Sequence, residues 1–180
     1  MAGRILLAGS VGGIVMFGWI SLAQISPLGD VGISALPRET FITETLAGGA
    51  GGTGGFYMFP ASSDAPPTRP SGILVFDLAN MRTHTAVQYA AEFAKTLVQA
   101  LLLAVLLAHT RFTGLVPRLG VCALAGAMVA MTTLGSYVIW YGFPLSYVFA
   151  QGAIVFLAYV LAGAAMARLL PSFSKDATPS

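Results

Sequence analysis

Four side chains in the stretch "QYAAEFAKTLVQALLLAVLLAH" (88–109) have types and spacing that could do chemistry. Gln88, Glu92, Lys95 and Gln99 fall at i, i+4, i+7 and i+11, which sets them on one face of a helix. A carboxylate, an ammonium and two amides on one face can hold a polar group by hydrogen bonds and ion pairing. The segment then turns almost wholly apolar. Ionisable residues in a membrane span are costly and usually face the bundle interior. A pocket near the start of this span would be lined by Glu92, Lys95, Gln99, Tyr137, Trp140 and Gln151.

The same residues also have a reading without a ligand. Counting about 20 residues back from Ala108 puts the span boundary near Tyr89. At a rise of about 1.5 Å per residue, Lys95 lies on the order of 9 Å below it. A lysine stem covers much of that distance by snorkelling, and side chains lean towards the helix N-terminus. Glu92 suits the positive end of the helix dipole. Glu92 and Lys95 would then only anchor the helix at an interface. Gln99 is too deep and too short to snorkel, so it needs a partner: Gln151, Ser136 or Tyr137.

Other chemistry is thin. His84 precedes this span and His109 ends it, so the two cannot share a metal, and no metal is expected. The single cysteine, Cys122, excludes an intramolecular disulfide and reads as a small buried hydrophobe. The glycines of "GGAGGTGGFYMFP" (48–60) lack the following Lys-Ser/Thr and helix of a phosphate loop, so they read as a flexible connection. No nucleophile motif has a nearby base, and no cofactor is expected. An enzyme using Glu92 or His84 is the third-ranked reading.

Composition supplies the elements that must position these residues. Of 180 residues, 56% are hydrophobic and 9% charged, with mean hydropathy +0.80. Soluble domains carry about a quarter charged residues. The expected fold is therefore an all-α membrane protein, one membrane domain built as a bundle of four transmembrane helices. Its spans are 5–23, 91–108, 119–141 and 147–170. Net charge is +2, which argues against a nucleic-acid partner. Arg4 and "SLA" before Gln24 resemble a signal peptide, but the apolar run exceeds an ordinary signal core and reads as a retained helix.

Arg4, Arg111, Arg118, Arg168 and Lys175 fall on one side of a four-span chain, which predicts cytoplasmic termini in a bacterial inner membrane. The long loop 24–89 is then an extracytoplasmic cap. Its "LPRETFITETLAGG" (36–49) predicts a short helix, with Pro37 in the first turn, Gly48 near the end, and Phe41, Ile42 and Leu46 facing the bundle or headgroups. "FYMF" (56–59) and "GILVF" (72–76) flank the turn-rich 60–71 and predict a β-hairpin. Trp140, Tyr141, Phe143 and Tyr147 gather at an interface around the turn 141–146, which makes the last two spans antiparallel neighbours. Gly9 and Gly13, Ala123 and Ala127, and Ala158 and Ala162 are small-residue pairs suited to close helix packing.

The stretches "PLGDVGISALPRE" (27–39), "GFYMFP" (55–60) and "WYGFP" (140–144) resemble a group of small bacterial four-span inner-membrane proteins. That resemblance implies layout and location, and no activity. The layout alone is also similar to claudins, but the claudin loop signature of a Trp and paired cysteines is absent. The leading functional expectation is a non-enzymatic accessory or assembly subunit. It would form a homo-oligomer or join a larger membrane complex, with the cap as recognition surface. The alternative is a lipid-, quinone- or amphiphile-binding protein or carrier, with the polar face as its pocket.

Overall fold

The computed structural model describes residues 2–49, 54–60, 66, 68, 70–77, 85–110, 112 and 114–170. They form α1 (Ala2–Ile25), α2 (Glu39–Gly49), strands β1 (Gly55–Phe59) and β2 (Gly72–Phe76), then α3 (Ala86–His109), α4 (Leu115–Tyr141) and α5 (Leu145–Ala167). Helices α1, α3, α4 and α5 are each long and apolar enough to cross a membrane. Large apolar side chains also cover their outward faces, among them Leu6, Ile14, Leu102, Leu124, Met131 and Phe149. Helices apolar on every side suit hydrocarbon rather than water.

The helix ends differ from the expected spans for local reasons. α3 begins at Ala86 because Thr85 and Gln88 form a capping box: Gln88 N donates to Thr85 Oγ1 at 3.3 Å, and Thr85 N donates to Gln88 Oε1 at 2.8 Å. The Gln88 amide therefore belongs to the helix end rather than to a polar site. α4 ends at Gly142, whose left-handed φ of 67° lets Phe143 N bond Tyr137 O at 3.2 Å. α2 begins after Pro37 rather than around it. Arg38, with φ 53°, turns the chain, and its carbonyl accepts the first helical bond from Ile42 N.

Glycine and alanine set the helix contacts. A β-carbon at Gly9 would stand 3.0 Å from Leu101 Cα, and one at Gly13 would stand 3.0 Å from Leu97 Cα, so α1 and α3 run antiparallel at backbone distance. α4 and α5 meet where Gly163 faces Cys122 and Gly126 faces Tyr159. Ala158 and Ala162 are buried, but Ala123 and Ala127 are only half-buried; Cys122 and Gly126 occupy the α4 side of the seam. α1 joins the two pairs by packing on α5, with Gly12 against Met166 and Trp19 Nε1 donating to Ile154 O at 2.9 Å. Trp19→Phe is expected to cost about 1 kcal/mol, the worth of one such bond, in equilibrium unfolding from detergent micelles. α3 and α4, though joined through 110–114, scarcely pack on one another.

Among the described residues one charge is buried. Arg118, 4% exposed, donates from Nη1 to Ala167 O and Leu170 O, each at 3.0 Å, and from Nε to Phe112 O at 3.3 Å. It closes the end of α5 at the bundle end where α1 begins.

At the other end, β1 and β2 pair antiparallel in the register Phe56↔Val75 and Met58↔Ile73. Phe56, Met58 and Val75 are exposed, and no α2 residue is buried: Phe41 is 66% exposed, while Ile42 and Leu46 are half-buried. His84, Arg111, Lys175 and the glycine-rich 50–53 lie outside the described residues.

Candidate functional site

α1, α3, α4 and α5 line a partly open cavity of about 220 Å³ in the half of the bundle nearer the cap. Met16 and Ile20 come from α1, Lys95 and Gln99 from α3, Val129, Ala130, Thr133 and Leu134 from α4, and Tyr147, Gln151, Val155, Ala158 and Tyr159 from α5. Spacing explains the α5 wall: 147, 151, 155 and 159 recur every fourth residue.

Three of the expected pocket residues line this space: Lys95, Gln99 and Gln151. Glu92 stands beside it and grips Lys95, with Nζ 2.7 and 2.8 Å from its two carboxylate oxygens. The lysine reaches back towards the helix N-terminus, as the geometry of helical side chains favours. Tyr137 and Trp140 do not line the cavity. The Tyr137 ring stacks on Phe143 at 4.9 Å, and Phe143 leads on to Tyr147 at 5.6 Å, while Trp140 is 76% exposed.

The partners expected for Gln99 are all engaged elsewhere. Gln151 accepts from Gln24 Nε2 at 2.9 Å and donates to Gly29 O at 3.4 Å, tying the turn after α1 to α5. Ser136 donates to Thr132 O within its own helix, and Tyr137 is held in the aromatic stack. Nearby, Gly32 (φ 80°) lies so close that a β-carbon there would stand 2.6 Å from Tyr147 N, so the same turn lies over the cap end of α5. The Gln99 amide makes no hydrogen bond among the described residues, and neither do the side chains of Thr133 and Tyr159. No fully enclosed side-chain polar atom in the described residues lacks a partner, so these groups reach open space. Tyr159 is 7% exposed and lines the cavity. Sequence reasoning missed Tyr159 and Thr133; the four-residue recurrence from Tyr147 would have found Tyr159.

The arrangement brings the polar residues Lys95, Gln99, Thr133, Gln151 and Tyr159 to the lining of a chamber whose apolar walls include Met16, Ile20, Val129, Leu134 and Val155. The charge of Lys95 is matched by Glu92, so the site as a whole is close to neutral. Its volume falls below the roughly 300–1,000 Å³ typical of sites that enclose a drug-sized molecule. It fits a headgroup or a single ring. Among the described residues no three His, Cys, Asp or Glu side chains gather to hold a metal ion. His109 lies at the far end of α3 with Nδ1 2.8 Å from Val105 O. No known family model, curated protein or solved structure matches this chain.

Proposed function

We propose that this protein is a four-span integral membrane protein that binds a neutral amphiphile, a lipid or quinone, with its polar head in the cavity between the four helices. One observation carries the reading. Gln99, Thr133 and the largely buried Tyr159, whose side chains make no hydrogen bond among the described residues, line a chamber that also carries several apolar walls. Polar side chains that open into a space within a membrane span gain from a partner that hydrogen-bonds them. A carrier and a resident binding protein share this site. A bacterial inner membrane with both termini cytoplasmic completes the proposal. Arg4, Arg118 and Arg168 lie at one end of the bundle, and Asp30, Glu39, Glu44 and Asp77 belong to the connection at the other, which supports that orientation.

The test is native mass spectrometry of protein extracted gently from its own membrane, beside the variant Lys95→Leu/Gln99→Leu. Wild type is expected to hold one small molecule. The variant should lose affinity by about tenfold to a hundredfold, the worth of one or two hydrogen bonds. Equal retention by both proteins would overturn the reading.

A second reading, the accessory subunit, is favoured by a separate observation. The hairpin exposes Phe56, Met58 and Val75 and pairs only with itself among the described strands. An isolated two-stranded hairpin is marginal in water and offers open edges to a partner. A reproducible multimer or a second protein in the same spectra, with no small molecule, would put this reading first.

A further inference from the structure

Resting on the binding reading above, we infer that the amphiphile enters the cavity sideways, from the hydrocarbon, through the gap between α3 and α4. The four helices stand in the order α3, α1, α5, α4, with close antiparallel packing at each of those three junctions and scarcely any contact between the first and the last. The cavity is nevertheless lined from both sides of that gap, by Lys95 and Gln99 on α3 and by Val129 and Thr133 on α4. Elsewhere the way in is obstructed. At the cap end the turn after α1 lies over α5, tied there by Gln151 to Gly29 and pressed against Tyr147 at Gly32. Towards the opposite end, Leu107 and Met166 are almost completely buried and Arg118 binds the last carbonyls of α5.

The gap is graded in polarity along its length. On α3 the stripe that carries Glu92, Lys95 and Gln99 continues at helical spacing into Leu102, 65% exposed, and Leu106. On α4 the facing stripe changes from Ser136 and Thr133 to Val129 and Ala125 in the same direction. A lipid-like molecule with its head towards the cap end and its tail along Leu102 and Leu106 matches both halves. A cavity of about 220 Å³ takes the head and leaves the tail in the gap. Hydrogen-bond donors at Gln99, Thr133 and Tyr159, with the lysine already neutralised, select a head bearing carbonyl or ester oxygens over an anionic phosphate.

The experiment uses the full chain in lipid nanodiscs with two probes, a benzoquinone carrying a decyl tail and a monoacylglycerol. Association and release are followed separately from equilibrium affinity. Leu102→Trp places bulk in the gap at an exposed position. It should slow association by about tenfold and slow release as well, and any difference between the two reports its contact with the tail. Leu124→Trp, on the exposed far face of α4, should change neither rate. Exchange at the wild-type rate in Leu102→Trp, with binding intact, overturns the portal and leaves the site standing. Equal slowing by Leu124→Trp overturns it as well. Absence of saturable binding of both probes to wild type overturns the site itself and the portal with it. The probe that saturates identifies the ligand as quinone or glyceride.

Discussion

Replacing Arg118 by leucine is expected to lower the stability of the bundle by about 3 kcal/mol or more, because hydrogen bonds to charged groups contribute about 1.5–3 kcal/mol each. The guanidinium reaches the carbonyls of Ala167 and Leu170, both 3.0 Å from Nη1, which are among the last acceptors of α5 and its exit. Those oxygens lie at the negative end of the helix dipole, where a cation is favoured. A leucine fills part of the space but leaves the carbonyls without a donor in a setting that excludes water. Lysine should recover only part of the loss, since one ammonium cannot reproduce the planar fork. Equilibrium unfolding in mixed detergent micelles measures wild type, Arg118→Leu and Arg118→Lys side by side. Stability of Arg118→Leu within about 0.5 kcal/mol of wild type would show that those carbonyls find water, and the capping account would fail.

The second large effect belongs to Gly163. A β-carbon there would run into Cys122 Sγ and stand 2.8 Å from Cys122 Cβ, an atom that cannot swing away. Gly163→Leu must therefore push α5 off α4, and overpacking of this kind costs about 1–3 kcal/mol, occasionally more. The same substitution at Gly120 meets nothing within 4 Å and should be close to neutral. Adding Cys122→Ala to Gly163→Ala removes the sulfur but keeps the Cβ contact, so the two changes should couple: the pair costs less than the sum of the singles. Additive costs would mean that the seam is already loose.

Hydropathy made the four long helices legible, because length and apolar content need no knowledge of contacts. It could not place the start of α3, whose first turn is polar and is fixed instead by the Thr85–Gln88 box. That motif was readable and carried the better boundary. Period-four spacing brought Lys95 and Gln99 to one face and, with Gln151, into one cavity. It did not bring in Tyr137 and Trp140, because the face that α4 turns to the cavity is set by Cys122 and Gly126 packing on α5, and it presents Val129, Ala130, Thr133 and Leu134 instead. Arg118 counted only as a marker of orientation. Its acceptors lie 49 and 52 residues away in sequence, and nothing local announces them. Gln99 shows the opposite limit: its need for a partner was legible, but the three partners expected for it are held by contacts with Gln24, Gly29, Thr132 and Phe143.

The two antiparallel pairs impose different schedules on a chain synthesised from its N-terminus. At roughly 5–20 residues per second, the stretch from Ile25 to His109 takes on the order of 10 s to emerge, whereas Tyr141 to Ala167 takes a few seconds. α4 and α5 thus meet almost at once, held by a short turn at one end and by Arg118 at the other. α1 waits. During that interval the groove at Gly9 and Gly13, shaped to take Leu97 and Leu101, is open to any helix that offers a matching ridge. A segment of this length between two partner helices makes the first one a temporary client of its surroundings, and the timing of translation becomes part of how the correct pair is chosen.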